Sequence, residues 1–423
     1  MSFFLISVFA LLLTILPLEF RLPMINCPGV MSDFWNGPGL LLLSVQILFY
    51  IFIFLSQKIK MNPRLVAYCL LTTVGITSIF TFQKNFDPSA TQLLRVLLVV
   101  WLVPIIDLVI AGIGAKKIAV LLLAIATIYS QWGVGQFIIQ HDLGLYAVGE
   151  VQLNPATAGV AKFLIQDSDN THKVIRSYGP FPHANSFAGV LLVSMIVAIF
   201  LLRQHPSRPL FVITCFILLA VLLTFSRAAW LGALLLFVSQ ALYVRKKTLN
   251  NHSLRALSTI IVVTLLVFMP LILSRTADPQ DVAQPERVAG TKYALSLIKQ
   301  HPWLGHGNGR YTTALQNYLQ ESNLAYAPWQ ITPVHSVPLL LIAEYGLIGT
   351  CLLVLPLGYW LYRQKKTGHW LIVTPLLPPL LLDHYFFTQL SPLVFLLVLL
   401  LLVPHFDWLH QPFQYQATPL KRS

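Results

Sequence analysis

The chain has 423 residues, 56% of them hydrophobic and 10% charged, with a mean hydropathy of +0.72. A soluble domain carries roughly a quarter charged residues, so a soluble enzyme, a disordered regulator and a secreted disulfide scaffold are all excluded. The net charge of +13 would suggest nucleic acid in a soluble protein; here membrane topology accounts for it, and no nucleic-acid partner is expected.

In chain order, twelve apolar runs have the character of transmembrane helices. They lie near 3–18, 38–56, 64–82, 93–111, 117–138, 184–202, 209–224, 228–244, 256–273, 334–360, 370–382 and 391–404. The first run lacks a basic n-region and a small-x-small cleavage site, so it reads as a retained helix. Lys and Arg sort the connections: Lys58, Lys60, Arg64, Lys116, Lys117, Arg203, Arg208, Arg245, Lys246, Lys247, Arg255, Arg363, Lys365, Lys366, Lys421 and Arg422 share one side with a single acid, Asp407. The other side holds 12 basic and 13 acidic residues, and Asp107 stays inside the fourth run. The positive-inside rule makes the basic side cytoplasmic, with both termini inside. The fold expected is an all-α membrane protein of about 12 transmembrane helices. Its parts are helices one to five (1–138), an extracytoplasmic loop (139–183), helices six to nine (184–273), a longer extracytoplasmic loop (274–333), and helices ten to twelve with a cytoplasmic tail (334–423).

The first outer loop contains Val160–Gln166 and His172–Tyr178 around Asp167-Ser168-Asp169-Asn170, the pattern of a β-hairpin. The second carries an amphipathic helix with Val288, Tyr293, Leu295, Leu297 and Ile298 beside Lys292 and Lys299. Proline ends it at His301-Pro302. Cys69, Cys215 and Cys351 lie in apolar runs and Cys27 has no neighbouring cysteine, so neither a disulfide framework nor a thiolate metal site follows.

The polar motifs gather on the outer side. Arg227, in Thr224-Phe225-Ser226-Arg227-Ala228-Ala229-Trp230, sits in a tight turn between two apolar helices. A charge near membrane depth is costly and points to function; the plainer alternative is an arginine snorkelling to head groups. Arg287, in Pro285-Glu286-Arg287, opens the outer-loop helix. A guanidinium forks onto phosphate oxygens, although a solvated pair with Glu286 would look the same. His335, in Thr332-Pro333-Val334-His335-Ser336-Val337-Pro338, enters a helix capped by Ser336 with Pro338 in its first turn. Histidine is the side chain suited to general-base work near neutral pH, but a lone interface histidine is commonly idle. The turn His301-Pro302-Trp303-Leu304-Gly305-His306-Gly307 reads either as a glycine-rich bend or as an anion site built from amides. His183 and Asn185 either cap the sixth run or contact substrate, and Arg176 is a further anion contact. Asp383-His384 closes the eleventh run on the same side. These histidines and this aspartate show no metal-site spacing, so no metal and no cofactor are expected.

Taken together, these segments resemble the O-antigen ligase and polymerase family of bacterial membrane glycosyltransferases. The matching stretches are Ser226-Arg227-Ala228-Ala229-Trp230, Arg287, His301–Gly307, His335-Ser336 and Glu344-Tyr345-Gly346-Leu347-Ile348-Gly349. The tract Arg176–Asn185 also looks like a family segment, with Ala184 where proline is expected. The resemblance covers roughly residues 176–349. It implies a lipid-phosphosugar glycosyltransferase (GT-C-like) bundle in the cytoplasmic (inner) membrane, with its active site on the extracytoplasmic face. It implies a polyprenyl-diphosphate-linked glycan donor and a glycan, lipid or protein acceptor. Divalent metal is not required in this family. By motif match, Arg227 and Arg287 bind the diphosphate and His335 is the catalytic residue. Arg176, His183, Asn185, His301, His306, Arg310 and Glu344 are expected as further substrate contacts.

The chemistry agrees with that carry-over. Cleavage at the anomeric carbon leaves a lipid diphosphate that gains charge, which two arginines can stabilise. A histidine taking the acceptor proton on the opposite face predicts inversion. Within the class, ligase and polymerase are the alternatives. A lipid-linked glycan flippase or other transporter is the alternative of another class; it predicts midplane ionisable residues and repeats, whereas Asp107 is the one clear intramembrane acid and no repeat is visible.

Overall fold

The segment 184–204 is charged only at Arg203 and otherwise almost wholly apolar, which suits either a lipid-facing span or a helix enclosed by others. In the computed structural model it is the central helix α2 (Ala184–Gln204), buried along its length. The structure describes residues 102–104, 106–107, 109–146, 150–156, 160–166, 171–246, 283–324, 326, 330–364 and 373–405. Around α2 pack α1 (Ala115–Ile139), α3 (Arg208–Leu223), α4 (Arg227–Lys246), α9 (Tyr385–Thr388) and α10 (Leu390–Leu402). Small residues permit the close approaches: Gly189 leaves room for the Tyr385 ring, and Gly232 of α4 for the Pro375 carbonyl. Ser207 caps α3, accepting from the Leu210 amide, and Pro209 lies in its first turn.

α1, α2 and the Val337–Leu355 stretch are long and apolar enough to cross a membrane. Shorter apolar helices cover Arg208–Leu223, Arg227–Gln240 and Ser391–Leu402. The fifth to eighth, tenth and twelfth expected runs therefore fall on helices. The first to third and the ninth lie outside the described residues, as does most of the fourth's first half. The eleventh run is not one continuous α-helix: a 3-10 turn (Thr374–Leu376) leads into the six-residue α8 (Leu377–Leu382). Pro375, Pro378 and Pro379 explain the interruption.

The expected hairpin is present. β1 (Lys162–Gln166) pairs antiparallel with β2 (Thr171–Ile175), with Gln166 opposite Thr171. The second strand ends earlier than its apolar run because Arg176, Ser177 and Tyr178 turn inward and become buried. The Ser177 amide donates to the Leu223 carbonyl at 2.9 Å, fastening the hairpin to the end of α3.

A second, smaller core joins α5 (Ala283–Gln300), α6 (Tyr311–Glu321) and the start of α7 (Val337–Gln364). Ala294 and Leu297 meet Tyr311, Leu315, Leu319, Leu340 and Ala343 at helical spacings. Glu286 in the first turn and Lys299 in the last suit the α5 dipole. Of the apolar residues expected to bury α5, Leu297 does so and Tyr293 and Ile298 pack partly, but Val288 and Leu295 face outward with the lysines.

α7 does not run straight. It breaks at Gly346, where φ is 64° and ψ is −176°. A continuous helix would bond the amides of Leu347 and Ile348 to the carbonyls of Ala343 and Glu344. Here the turn after α5 takes both roles. The Leu347 and Ile348 amides donate to the Pro302 and Trp303 carbonyls at 2.9 and 3.1 Å, while the His306 and Gly307 amides donate to Ala343 and Glu344 at 2.9 and 2.8 Å. The glycine-rich tract and the Glu344-Tyr345-Gly346 tract are thus two halves of one splice. A Cβ on Gly346 would collide with the Trp303 carbonyl, and the left-handed φ adds strain. Gly346→Ala is expected to lower stability by at least ~2 kcal/mol, read as a drop in unfolding temperature. Gly290→Ala, on α5 with open space around a Cβ, should be neutral or stabilising. Equal melting of the two variants would contradict the splice.

Candidate active site

The helix ends nearest the hairpin carry a buried polar network. Phe225, at φ 50°, lets the chain reverse between α3 and α4. It is held there by stacking on Phe163 (3.8 Å between centroids) and by contact with Trp230 (5.5 Å). The reversal sets Arg227 as the first residue of α4. The Thr224 carbonyl, three residues earlier, accepts from Arg176 Nε at 2.6 Å.

Arg176 continues the network. Its Nη2 donates to Asn185 Oδ1, and Asn185 Nδ2 donates to Asp383 Oδ2 at 2.7 Å. Asp383 caps the C-terminus of α8 and is 3% exposed. Its other oxygen, Oδ1, accepts from the His384 amide at 2.8 Å and stands 3.5 Å from His335 Nδ1, close but without hydrogen-bond geometry. The His335 ring lies 5.1 Å from that of His384, whose Nδ1 meets Thr388 Oγ1 at 2.8 Å. His335 precedes the Ser336 start of α7, as its sequence context requires, and its side chain stays about one-third open (34%).

Burial opposes ionisation of Asp383, yet the adjacent His335 side chain, with His384 and Arg287, holds its carboxyl well below the usual range. Burial pushes His384 down to about 4, against the pull of Asp383, and pushes His183 down to about 3, with Arg176 adding to it. Arg287 lies within electrostatic reach of both Asp383 and His384. Its Nε is buried and finds no acceptor among the described residues. It sits in the second turn of α5 rather than at its first residue.

The pH dependence follows from the two histidines. Each sits below its ordinary value of ~6.5, so the unfolded chain binds more protons once the pH drops under 6.5. Stability is complete above that value and declines as pH falls toward 4 for His384 and toward 3 for His183. Asp383 acts in the same direction, but only below the ordinary carboxylate value of ~3.9. An unfolding temperature that declines from pH 6.5 to 4, less steeply in His384→Gln, is the expected result; a flat profile would contradict it.

The sequence candidates divide into two groups. His335, Arg287, Arg176, Asn185 and His183 come together, with Asn185's amide donating to His183 Nδ1 at 3.1 Å. Arg227 opens α4 three residues after Thr224, whose carbonyl accepts from Arg176. His301, His306 and Glu344 belong to the splice. His306 Nε2 contacts the Leu297 carbonyl at 2.9 Å and its ring packs edge-on to His301 at 4.7 Å. The Gly305, His306 and Gly307 amides are spent on backbone carbonyls, so the bend reading describes this turn better than an anion site. Arg310 immediately precedes α6. Asp383 and His384 were absent from the expected site residues; the signal available was two ionisable groups closing an apolar run.

His335, Asp383 and His384 also offer ligand atoms within 4.8 Å of one another. Linear spacing gave no such cluster, because Asp383 is 48 residues beyond His335. The donor types suit a divalent ion, but both Asp383 oxygens and His384 Nδ1 already have partners, and the Arg287 charge bears on two of the three residues. The set fits a metal poorly.

These features define a mostly helical membrane protein whose helix ends converge on a buried His–Asp–Asn–Arg network. Residues 210–354, about a third of the chain, match the family model described as O-antigen ligase. This supports assigning the chain to the O-antigen ligase family, whose members are membrane glycosyltransferase-like ligases and polymerases. No curated protein matches the chain. The matched segment contains Arg227, Arg287, His335 and both halves of the splice; Arg176, Asn185 and Asp383 lie outside it.

Proposed function

We propose that the protein transfers a glycan from a polyprenyl-diphosphate carrier to an acceptor hydroxyl at the extracytoplasmic face of the cytoplasmic membrane. The observation that carries this reading is the pairing of a partly open His335, backed by buried Asp383, with Arg287, whose Nε has no acceptor among the described residues. With the Nδ1 proton directed at Asp383, His335 Nε2 is left to take the acceptor's proton. The acceptor oxygen then bonds to the anomeric carbon as the bond to the diphosphate oxygen breaks, with inversion. The leaving lipid diphosphate gains negative charge, which Arg287 and Arg227 offset. No divalent ion takes part.

The donor is lipid-linked, so the site must be reached from the bilayer. Asn185 and Asp383 meet at helix ends, where a lipid-linked head group can arrive. Deleting the gene in its native host separates the two family activities. Free lipid-linked polymer accumulating indicates a ligase to lipid A core or another surface acceptor, while single repeat units indicate a polymerase.

Sidedness has its own test. In a variant without native cysteines, single cysteines at Ser168 and Gln280 should react with an impermeant thiol reagent on intact cells, and cysteines at Thr248 and Thr367 should not. Reversed labelling would remove the extracytoplasmic site.

A further inference from the structure

One face of α5 serves neither the small core nor the polar network. Val288, Lys292, Leu295 and Lys299 follow at steps of four, three and four residues, so they form a single stripe. All four are exposed, Val288 at 56% and Leu295 at 46%. Glu286, the one acid of α5, is two residues before Val288 and so lies on the opposite side of the helix. Trp303, 64% exposed, extends the stripe beyond the helix end. At the helix's first half Pro285, Val288, Ala289, Lys292 and Tyr293 line an open groove.

The splice fixes where this face sits. Trp303 and Pro302 are bonded to Ile348 and Leu347, which are themselves exposed. Those two residues open the longer part of α7, which runs from the Gly346 break to Gln364 and includes Pro356. At 1.5 Å per residue this part is ~27 Å long, about the thickness of a bilayer's hydrocarbon core. A bilayer placed on this part, with Arg363 at its far end, puts the break at the opposite head-group boundary, where tryptophan is favoured. That placement sets α5, packed on Leu340 and Ala343 just before the break, at head-group level.

We propose that this face of α5 rests on the membrane surface and binds anionic phospholipid head groups. Val288, Leu295 and Trp303 enter the boundary region, and Lys292 and Lys299 meet lipid phosphates. An apolar stripe interleaved with lysines is the pattern of an interfacial helix. Docking of this kind fixes the depth of Arg287, one residue from Val288. The inference rests on the placement of α7 in the membrane and not on the glycan-transfer reading.

The test uses the full chain in nanodiscs, lacking native cysteines, with an environment-sensitive fluorophore on Val288→Cys or Leu295→Cys. Thr313→Cys, exposed on α6, is the reference. In phosphatidylglycerol discs, lipids bearing a nitroxide at the head group should quench both α5 probes at least ~2-fold more than the reference. K292E/K299E should bring the α5 probes close to the reference, and phosphatidylcholine discs should reduce their quenching. Quenching no greater than at Thr313 overturns the proposal. So does strong quenching indifferent to both lysine reversal and lipid charge, which would mean apolar contact alone. Glycan transfer is not the readout, so loss of activity and loss of docking stay distinguishable.

Discussion

His335→Ala is expected to insert and fold yet transfer glycan at least ~10²-fold more slowly, the usual minimum for loss of a general base. The side chain is one-third open, so its removal leaves no large core cavity and the unfolding temperature should hardly move. Asp383→Asn probes the same function one step back. Its Oδ2 is held by Asn185 and its Oδ1 faces His335 Nδ1, so the amide keeps the shape but loses the charge. Asparagine cannot accept from both the Asn185 amide and the His384 backbone N–H, and it removes the charge that faces Nδ1, so a loss of about 10²-fold or more in kcat, with KM little changed, is expected. The comparison is made on purified protein at matched amounts. Near-normal transfer by His335→Ala would return that residue to an idle place at a membrane interface.

Arg287 gives the second large effect. It helps to hold the Asp383 charge, yet its Nε meets no acceptor among the described residues. A buried guanidinium donor without an acceptor is costly unless a ligand supplies one, and a diphosphate oxygen does. Arg287→Ala should therefore raise the barrier to transfer by on the order of 2–4 kcal/mol. Lysine retains the charge but not the bidentate fork, so Arg287→Lys should be impaired rather than silent. The same ordering is expected at Arg227. If Arg287→Lys matches the unaltered protein, the fork has no part in binding.

The residues that local context can fix were legible in the sequence. The apolar run 184–202 announced a helix, though not its enclosure by the others. Ser336 and Pro338 marked the start of α7, and the apolar, β-branched runs on either side of Asp167–Asn170 marked the two strands of the hairpin. Long-range contacts were not legible. Asn185 and Asp383 are 198 residues apart, and nothing near either of them signals the other. Gly346 lies inside a run that is apolar around it except at Glu344, so α7 read as one span; only the partner turn 302–307 makes a break there tolerable. Val288 and Leu295 read as core because hydrophobicity alone does not tell a buried face from one turned to lipid. Arg176 looked like an anion contact, while in the structure it ties the hairpin to Thr224 and Asn185.

The most direct measurement is transfer by purified protein with a polyprenyl-diphosphate glycan and an acceptor in excess EDTA. The arginine and histidine chemistry described above predicts unchanged activity, with Arg287→Ala and His335→Ala defective in the same assay. Activity abolished by EDTA and restored by Mg²⁺ or Mn²⁺ would contradict it, and would turn His335, Asp383 and His384 from an oriented base into the ligands of an ion.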